Sequence, residues 1–294
     1  MTIIPESLDI TLLQQWVGKT ETHHDVINAS AASALAATLD HQQSTLAAPN
    51  GPKALRPLWH WIYFWAVCGQ SDVGSDGHPQ RGGFLPPVPL PRRMWAGGRL
   101  TFSGPLPIGA AASRTSQIMS VTEKSGKSGS LAFVTVKHEI AVDGIVAITE
   151  EHDIVYRALA EPGAIAPPPK LAPSEALWTR TVHPDPVLLF RYSALTFNGH
   201  RIHYDRSYVT EVEGYPGLIV HGPLIATLLV DLLLEHMPEA QLATFNFRAI
   251  GPLFDIASFD ICGQPDADGR TVHLWARNAR GELAMQAEAT LLVP

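Results

Sequence analysis

The run HGPLIATLLVDLLLEH, residues 221–236, decides the fold. Apolar residues fill it from Leu224 to Leu234, with Thr227 and Asp231 as interruptions, and Pro223 stands where a helix tolerates proline, in its first turn. The apolar stretch is far shorter than the roughly 20 residues needed to cross a bilayer. It therefore predicts a buried core helix from about Pro223 to His236, not a membrane span.

Extended segments follow this helix. The sequence predicts strands near 243–250, 257–262, 271–278 and 282–293. In the last of these, Leu283, Met285 and Ala287 begin an alternation with mostly polar or small residues, which is the period of a sheet with one buried face. A long helix followed by antiparallel strands predicts an α+β fold in which a sheet wraps a central helix.

The first half of the chain repeats this order. Asn28 is placed to cap a helix over 29–40, and Pro57 to begin another that carries several aromatic residues. Strands are then predicted at 99–102, 113–122, 131–142 and 145–156. Asp143-Gly144 separates the last two, and this dipeptide supplies the positive φ angles of a tight type I′ hairpin turn. The repeat predicts two similar halves.

A proline-rich stretch, LAEPGAIAPPPKLAP at 159–173, divides these halves. Its prolines disfavour both helix interiors and central strands, so it predicts an extended linker. The expected organisation is an N-terminal half at 1–158, the linker at 159–173 and a C-terminal half at 174–294. A rigid connector of this kind favours two halves that share an interface.

Composition narrows the class of protein. The 294 residues are 46% hydrophobic and 17% charged, which is enough apolar material for a sizeable core. The net charge of −7, with scattered basic residues, disfavours a nucleic-acid surface. Two cysteines cannot form a disulfide framework, and the first residues lack the pattern of a secretion signal. We expect a cytoplasmic protein that binds neither nucleic acid nor membrane.

Candidate catalytic residues lie just before the core helix, in FNGHRIHYD at 197–205 and IVHGP at 219–223. His203 is the first candidate for proton transfer, because an imidazole exchanges protons readily near neutral pH. Gly222 is at the predicted helix start, where backbone N–H groups lack intrahelical partners and carry partial positive charge. Together they predict a base and an oxyanion site around one substrate carbonyl.

These two segments resemble the MaoC-like (R)-specific enoyl-thioester hydratase motif, in which Asp-x-Asn-Pro-x-His-x-Asp precedes a His-Gly helix start. The resemblance places His203 on the family's catalytic histidine, Asp205 on the acidic residue two positions later and Gly222 on the oxyanion-hole glycine. Asn198 takes the place of the catalytic aspartate, and His200-Arg201 replaces Asn-Pro. An amide cannot act as acid or base near pH 7, so Asn198 is expected to orient water while His203 moves the proton.

The rest of the chain narrows the resemblance. Leu58-Trp59-His60-Trp61 and GGFLPPVPLPRRMWAGG at 82–98 look like the N-terminal half of mesaconyl-C4-CoA and itaconyl-CoA hydratases and of mitochondrial-type 3-hydroxyacyl-thioester dehydratases. This similarity implies a double hot-dog fold with a degenerate N-terminal half and a catalytic C-terminal half. It implies a hydro-lyase acting on an α,β-unsaturated acyl-CoA, with coenzyme A as part of the substrate, no further cofactor and a plausible homodimer.

Five further positions are candidates for substrate binding. Arg92, Arg93 and Trp95 follow the prolines, and paired guanidiniums with a stacking ring suit a nucleotide or a carboxylate. Arg191 and Arg201 bracket the catalytic segment and would suit the free carboxylate of a dicarboxylyl thioester. The alternative for each arginine is an ion pair with a nearby acid.

His221 is a sixth candidate for contact with substrate, although a packing role suits a histidine at this position as well. The imidazoles of His200, His203 and His221 have the residue type of a zinc site, but no carboxylate stands at a familiar spacing. We therefore expect no metal.

Three other functions remain open from the sequence. A fatty-acid 3-hydroxyacyl-thioester dehydratase, acting on a CoA or acyl carrier protein thioester, would need a long apolar channel. A noncatalytic acyl-CoA binding subunit is open because Asn198 weakens the catalytic motif. A thioesterase would need a carboxylate placed to activate water, and no residue matches that clearly.

Overall fold

The structure, a computed structural model, describes residues 8–41, 54–126, 129–158 and 168–292. After a short helix α1 (Ile10–Leu13), the first half contains β1 (Thr20–Val26), α2 (Ala29–Thr38), β2 (Arg92–Phe102), β3 (Ala111–Gly126), β4 (Gly129–Val142) and β5 (Ile145–Arg157). The second half contains β6 (Trp178–Val182), α3 (Pro186–Leu195), α4 (Gly222–His236), β7 (Leu242–Ala249), β8 (Phe259–Pro265), β9 (Thr271–Asn278) and β10 (Leu283–Leu291).

All ten strands belong to one antiparallel sheet of order β1-β3-β4-β5-β2-β7-β10-β9-β8-β6. Each half contributes five neighbouring strands, and the second half repeats the strand order of the first in the opposite direction. The two half-sheets join edge to edge where β2 of the first half pairs with β7 of the second. The paired residues are Gly97 to Thr101 and Thr244 to Arg248. The predicted α+β architecture and internal repeat are confirmed.

Local signals in the sequence explain several element boundaries. Asn28 caps α2 by accepting the N–H of Ala31 through its side chain at 2.9 Å. Asp143 and Gly144 have φ angles of 51° and 76°, which are the positive values that the turn between β4 and β5 requires. These elements form where the sequence predicts them, because the capping and turn residues satisfy backbone geometry directly.

Helix α4 forms the core of the second half. Ten consecutive residues, Leu224 to Leu233, are buried in it, and the helix lies against β6, β8, β9 and β10. Its buried Asp231 accepts from Arg56 Nη2 at 3.2 Å and lies 2.8 Å from His41 Nε2. Both partners belong to the first half, so these contacts connect the two halves.

No helix of comparable length forms after Pro57, and that prediction is wrong. The segment is a single 3₁₀ turn, Trp59–Ile62. Leu58 and Phe64 flank it in the left-handed region, with φ of 68° and 58°, which ends any helix on both sides. The aromatic side chains also point in different directions, because Trp59 enters the core while Trp61 donates to Glu150.

Other elements differ from the sequence prediction. The strand predicted at 99–102 begins earlier, so that Arg92, Arg93 and Trp95 belong to the long strand β2, which pairs with β5. Strands β1 and β6 and helix α3 were not predicted, since each is short or has no clear periodicity. Most of the predicted linker, 159–167, lies outside the described residues, and Leu171 forms an isolated bridge with Glu282. The domain boundaries stay a prediction.

Within the described ranges, every helix is too short or too polar to span a membrane.

Candidate active site

A cavity of about 1220 Å³ lies between the two halves. The second half lines it with Asn198, His203 and Gly222, and the first half with strand residues such as His138 and His152. Residues from both halves would therefore contact one bound molecule.

The loop that carries the candidate base follows α3. Asp185 caps this helix by accepting the N–H of Leu188 at 2.8 Å, and Phe197 ends the turn after it with a φ of 50°. Asn198 then accepts the backbone N–H of His200 through Oδ1 at 3.0 Å, and a 3₁₀ turn over Arg201–His203 follows. A short polar side chain such as asparagine forms this local turn readily.

His203 is buried, and its protonation state is well defined. Its Nδ1 lies 2.7 Å from the carbonyl of Ile219, which can only accept, so Nδ1 carries the hydrogen. Burial lowers the pKa of His203 to about 4, with a smaller lowering from His78 and an opposing contribution from the Ile219 hydrogen bond. At neutral pH the imidazole is therefore uncharged, and Nε2 presents a lone pair in the cavity.

His221 packs against the ring of His203. The two rings stack with centroids 3.7 Å apart, and His221 Nε2 lies 2.8 Å from Ser193 Oγ. The side chain of His221 is 1% exposed and is not part of the cavity wall. The structure therefore places it where it fixes the orientation of His203, and not where it would contact substrate as the sequence predicts.

Gly222 begins helix α4 and lines the cavity, with Pro223 after it. Among the described residues, no carbonyl or side chain accepts its backbone N–H. The first N–H groups of a helix of this length carry partial positive charge, so they stabilise an oxyanion. The predicted oxyanion donor is thus in the same cavity as the predicted base.

Two of the predicted arginines lie elsewhere. Arg191 is exposed on α3 and is absent from the cavity wall. Arg201 donates to Asp205 through Nε and Nη2, at 3.0 and 2.8 Å, and to the carbonyl of Ser75. Asp205 is four residues away on the same turn and takes this guanidinium, which is why Arg201 does not face the cavity.

The arginines of β2 are better placed. Arg92 and Arg93 both line the cavity, but Arg92 is paired with Glu213 at 3.0 Å. Arg93 is half-buried and has no carboxylate within ion-pair distance among the residues that the structure describes. Trp95 also lines the cavity and stacks on His152 with centroids 3.8 Å apart. Arg93 is therefore one cavity guanidinium available for an anionic ligand; Arg157, which also lines the cavity, likewise has no carboxylate partner among the described residues.

Sequence reasoning missed the contribution of the first half to this site. Asp76 and His78 reach the cavity from the loop before β2, and His138 and His152 reach it from β4 and β5. The glycines around Asp76 indicate a tight turn with polar residues, but nothing in the spacing relates it to His203. Burial is the main reason that the pKa of His138 falls to about 4 and that of His152 to about 3.

The histidine cluster differs from the one considered from the sequence. In the described part of the chain, the group with metal-ligand spacing is Asp76, His78 and His200, whose ligand atoms lie within 4.8 Å of one another. His203 and His221 are outside this group. That the protein needs no metal stays a prediction.

Comparison with known proteins agrees with this geometry. The family model for hydroxyacyl-thioester dehydratase type 2 matches residues 58–255. The mesaconyl-C4-CoA hydratase of Chloroflexus aurantiacus is 50% identical over 279 residues, which cover 94% of this chain and 96% of that protein.

Solved structures share the fold. A MaoC-like dehydratase from Phytophthora capsici superposes with a TM-score of 0.69 at 13% identity, covering 98% of this chain and all of the other. A Mycobacterium tuberculosis protein described as having a double hot-dog fold superposes at 0.57 with 13% identity, covering 94% of this chain and 96% of the other. The fold is a double hot dog. The chain belongs to the hydroxyacyl-thioester dehydratase type 2 family, whose members are hydro-lyases.

Proposed function

We propose that this protein adds water to the double bond of an α,β-unsaturated acyl-CoA that carries a free carboxylate, with mesaconyl-C4-CoA as the leading substrate. The observation that carries the proposal is the pairing of a neutral, buried base with a free helix N-terminus in one cavity, next to an arginine that has no carboxylate partner among the described residues. The 50% identity to a mesaconyl-C4-CoA hydratase supports the choice of substrate. Itaconyl-CoA is the second candidate.

The chemistry follows from the positions of His203 and Gly222. His203 Nε2 takes a proton from a water molecule as the water oxygen bonds to the β-carbon. The electron pair of the alkene moves to the thioester oxygen, and the Gly222 N–H stabilises the enolate that forms. The protonated imidazole then returns a proton to the α-carbon. Dehydration of the β-hydroxyacyl thioester is the reverse path.

Asn198 contributes orientation and not proton transfer. Its Oδ1 accepts the His200 N–H, which fixes the side chain and leaves the NH₂ group for the water or the substrate. The thioester itself activates the alkene, so this mechanism requires no cofactor besides the coenzyme A of the substrate. A cytoplasmic location and a homodimer are parts of the same proposal.

Arg93 supplies the preference for an anionic acyl group. A half-buried guanidinium gains most when a carboxylate or phosphate forms a bidentate pair with it. The surrounding histidines are neutral, because burial keeps the pKa of His152 and His200 low. The free carboxylate of a C4 thioester would fill this position, whereas a simple fatty enoyl chain would leave the charge unpaired.

The test is turnover of three thioesters by the purified protein. Mesaconyl-C4-CoA, itaconyl-CoA and crotonyl-CoA are each incubated with the unsubstituted protein and with His203→Ala, and products are followed by mass spectrometry. We expect hydration of a dicarboxylyl thioester that the substitution removes. Preference for crotonyl-CoA would favour the fatty-acid dehydratase, and release of free CoA thiol would favour a thioesterase. Binding without turnover would favour a noncatalytic subunit.

A further inference from the structure

The segment Asp76-Gly77-His78 of the first half docks directly onto the catalytic loop of the second half. The N–H of Arg201 donates to the carbonyl of Asp76 at 2.9 Å. Gly77 has a φ of +89°, and a Cβ on it would lie 1.9 Å from the carbonyl oxygen of Gly199. The two backbones touch with no space for a side chain, so their contact fixes the position of both neighbours of Gly77.

Asp76 holds His78 in one tautomer. Its carboxylate accepts the backbone N–H of His78 at 3.0 Å, and Oδ2 lies 3.2 Å from Nδ1 of the ring. Since an ionised carboxylate only accepts, Nδ1 carries the hydrogen and Nε2 carries the lone pair. Burial lowers the pKa of His78, which keeps the ring neutral. His78 is therefore prepared in the same way as His203, with Nε2 as a hydrogen-bond acceptor.

The ring of His200 is a neighbour of both His78 and His203. The ring of His78 is 4.1 Å from that of His200, and the ring of His200 is 5.6 Å from that of His203, measured between centroids. All three line the cavity. Of the three, His78 and His203 have Nδ1 fixed by an acceptor, whereas the ring nitrogens of His200 make no hydrogen bond to another described residue.

A water molecule that attacks in a fixed direction needs acceptors for both of its hydrogens. His203 Nε2 takes one of them. Asn198 is a weak second partner, because its Oδ1 already accepts the His200 N–H and an amide cannot ionise. A neutral imidazole with a free Nε2 is the stronger acceptor in this part of the cavity.

We propose that His78 is a second catalytic residue, which holds the attacking water through Nε2, and that Asp76 is its positioning residue. The inference rests on the proposed hydratase function. It assigns to His78 the contact with water that Asn198, which cannot ionise, makes only weakly. In the step, one O–H of the water gives its proton to His203 Nε2 as oxygen bonds to the β-carbon and the alkene pair forms the enolate. The other O–H donates to His78 Nε2 and becomes the product hydroxyl, and His203 returns its proton to the α-carbon.

A metal ion is the competing explanation for Asp76, His78 and His200. Two features disfavour it. The carboxylate of Asp76 already binds the His78 ring and backbone, and the positive charge of Arg93 is close enough to add to the burial that lowers the pKa of His78 and His200. A cation would be repelled by the same charge, whereas a neutral water is not.

The experiment compares amide and alanine substitutions by steady-state hydration of mesaconyl-C4-CoA. Gln at position 78 offers a carbonyl oxygen near the place of Nε2, whereas Asn offers none there. Asn at position 76 still accepts from Nδ1, whereas Ala does not. We expect His78→Asn and Asp76→Ala to lower kcat about 100-fold or more with KM changed less than about 3-fold, and His78→Gln and Asp76→Asn to retain activity within about 10-fold.

His273→Asn is the matched control, since it removes an exposed histidine that is 3.3 Å from Asp266, outside the cavity wall. Its kcat is expected to stay within about 2-fold of the unsubstituted protein. Equal, small effects of all four substitutions would overturn the inference, and so would losses confined to variants that unfold. A folded His78→Gln variant that is as inactive as folded His78→Asn would overturn it as well. Loss of activity on chelation, restored by zinc, would replace it with a metal site. Failure of the unsubstituted protein to hydrate any thioester is a separate result, which overturns the proposed function and this inference with it.

Discussion

At the scale of single residues, the site depends on imidazoles that burial keeps neutral. Within the part of the chain that the structure describes, His203 has no carboxylate partner, and its Nδ1–H is donated to a backbone carbonyl. Such a hydrogen bond fixes the tautomer but does not offset the cost of burying a charged ring, so the pKa falls to about 4. A base of this kind is active over a wide pH range above its pKa.

The first prediction concerns the pH dependence of kcat/KM. In the proposed mechanism the neutral form of His203 is the active one, so lowering the pH is expected to remove activity only as it passes through about 4. The titratable groups that face this ring are His78, His200 and His221. The pKa of each is lowered, so these rings are also uncharged near neutral pH. We expect a flat profile from about pH 7 to about pH 5, then a decline approaching tenfold per unit. A midpoint near the ordinary histidine value of about 6.5 would contradict a buried base.

The second prediction concerns Arg93. Replacing it with Gln removes the charge that the acyl carboxylate is proposed to bind, so the KM for mesaconyl-C4-CoA should rise about 10-fold or more while that for crotonyl-CoA changes less than about 3-fold. Arg191→Gln is the comparison, because this exposed residue lies outside the cavity wall and should change neither constant. An equal rise for both thioesters would assign Arg93 to the coenzyme A portion instead.

At the scale of elements, the predictable parts of the chain are those in which a residue acts on its own backbone. Asn28 caps α2, Asp143-Gly144 turns β4 into β5, and the apolar run after Gly222 forms α4, all as the sequence predicts. Elements that depend on distant partners are not predictable in this way. The segment after Pro57 has local helix signals but forms a 3₁₀ turn, in which Trp59 packs in the core and Trp61 donates to Glu150.

The same distinction applies to the candidate site. His203, Asn198 and Gly222 are close in sequence and lie in one cavity, so local motifs are sufficient to find them. Whether an arginine binds substrate or forms an ion pair depends on tertiary packing, so the sequence does not decide between these roles. In the structure Arg201 pairs with Asp205. Asp76 and His78 are more than 100 residues from His203, and only the joining of the two half-sheets brings them together.

The third prediction concerns the buried carboxylate in the middle of α4. Asp231 is 2% exposed and depends on Arg56 and His41 for compensation. Arg56→Ala leaves it with the histidine alone, so we expect a loss of on the order of 3 kcal/mol in the free energy of unfolding, measured with urea. The control is Arg180→Ala, which removes the exposed pair with Glu235 near the end of the same helix and should cost less than about 1 kcal/mol. Similar losses in both variants would contradict the role given to Asp231.

At the scale of the whole molecule, two half-sheets of the same strand order have different functions. The second half has the long central helix α4 and contains the residues proposed as base and oxyanion donor, His203 and Gly222. The first half has only a 3₁₀ turn after Pro57, and its strands contribute His138, His152 and Trp95 to the cavity wall. In this arrangement both halves bury uncharged histidines, which lowers the stability of the fold at acidic pH.

The fourth prediction follows from those histidines. The folded pKa of His138, His152 and His203 lies at about 4, 3 and 4, below the value of about 6.5 in the unfolded chain. The unfolded state therefore binds more protons below about pH 6.5, and stability is lost as the pH falls from there toward the folded values. Each buried ring contributes on the order of 2 kcal/mol to this loss by about pH 5. Urea unfolding at about pH 6.5 and at about pH 5 measures this loss of stability. Equal free energies of unfolding at both pH values would contradict burial of these histidines in the neutral form.

The most direct test of the central claim is hydration of mesaconyl-C4-CoA in water enriched with a heavy oxygen isotope, followed by mass spectrometry of the intact thioester. We expect one heavy oxygen in the β-hydroxyacyl product of the unsubstituted protein, an intact CoA ester, and loss of the reaction in a His203→Gln variant that remains folded. An unlabelled thioester recovered unchanged, or undiminished labelling by His203→Gln, would contradict it.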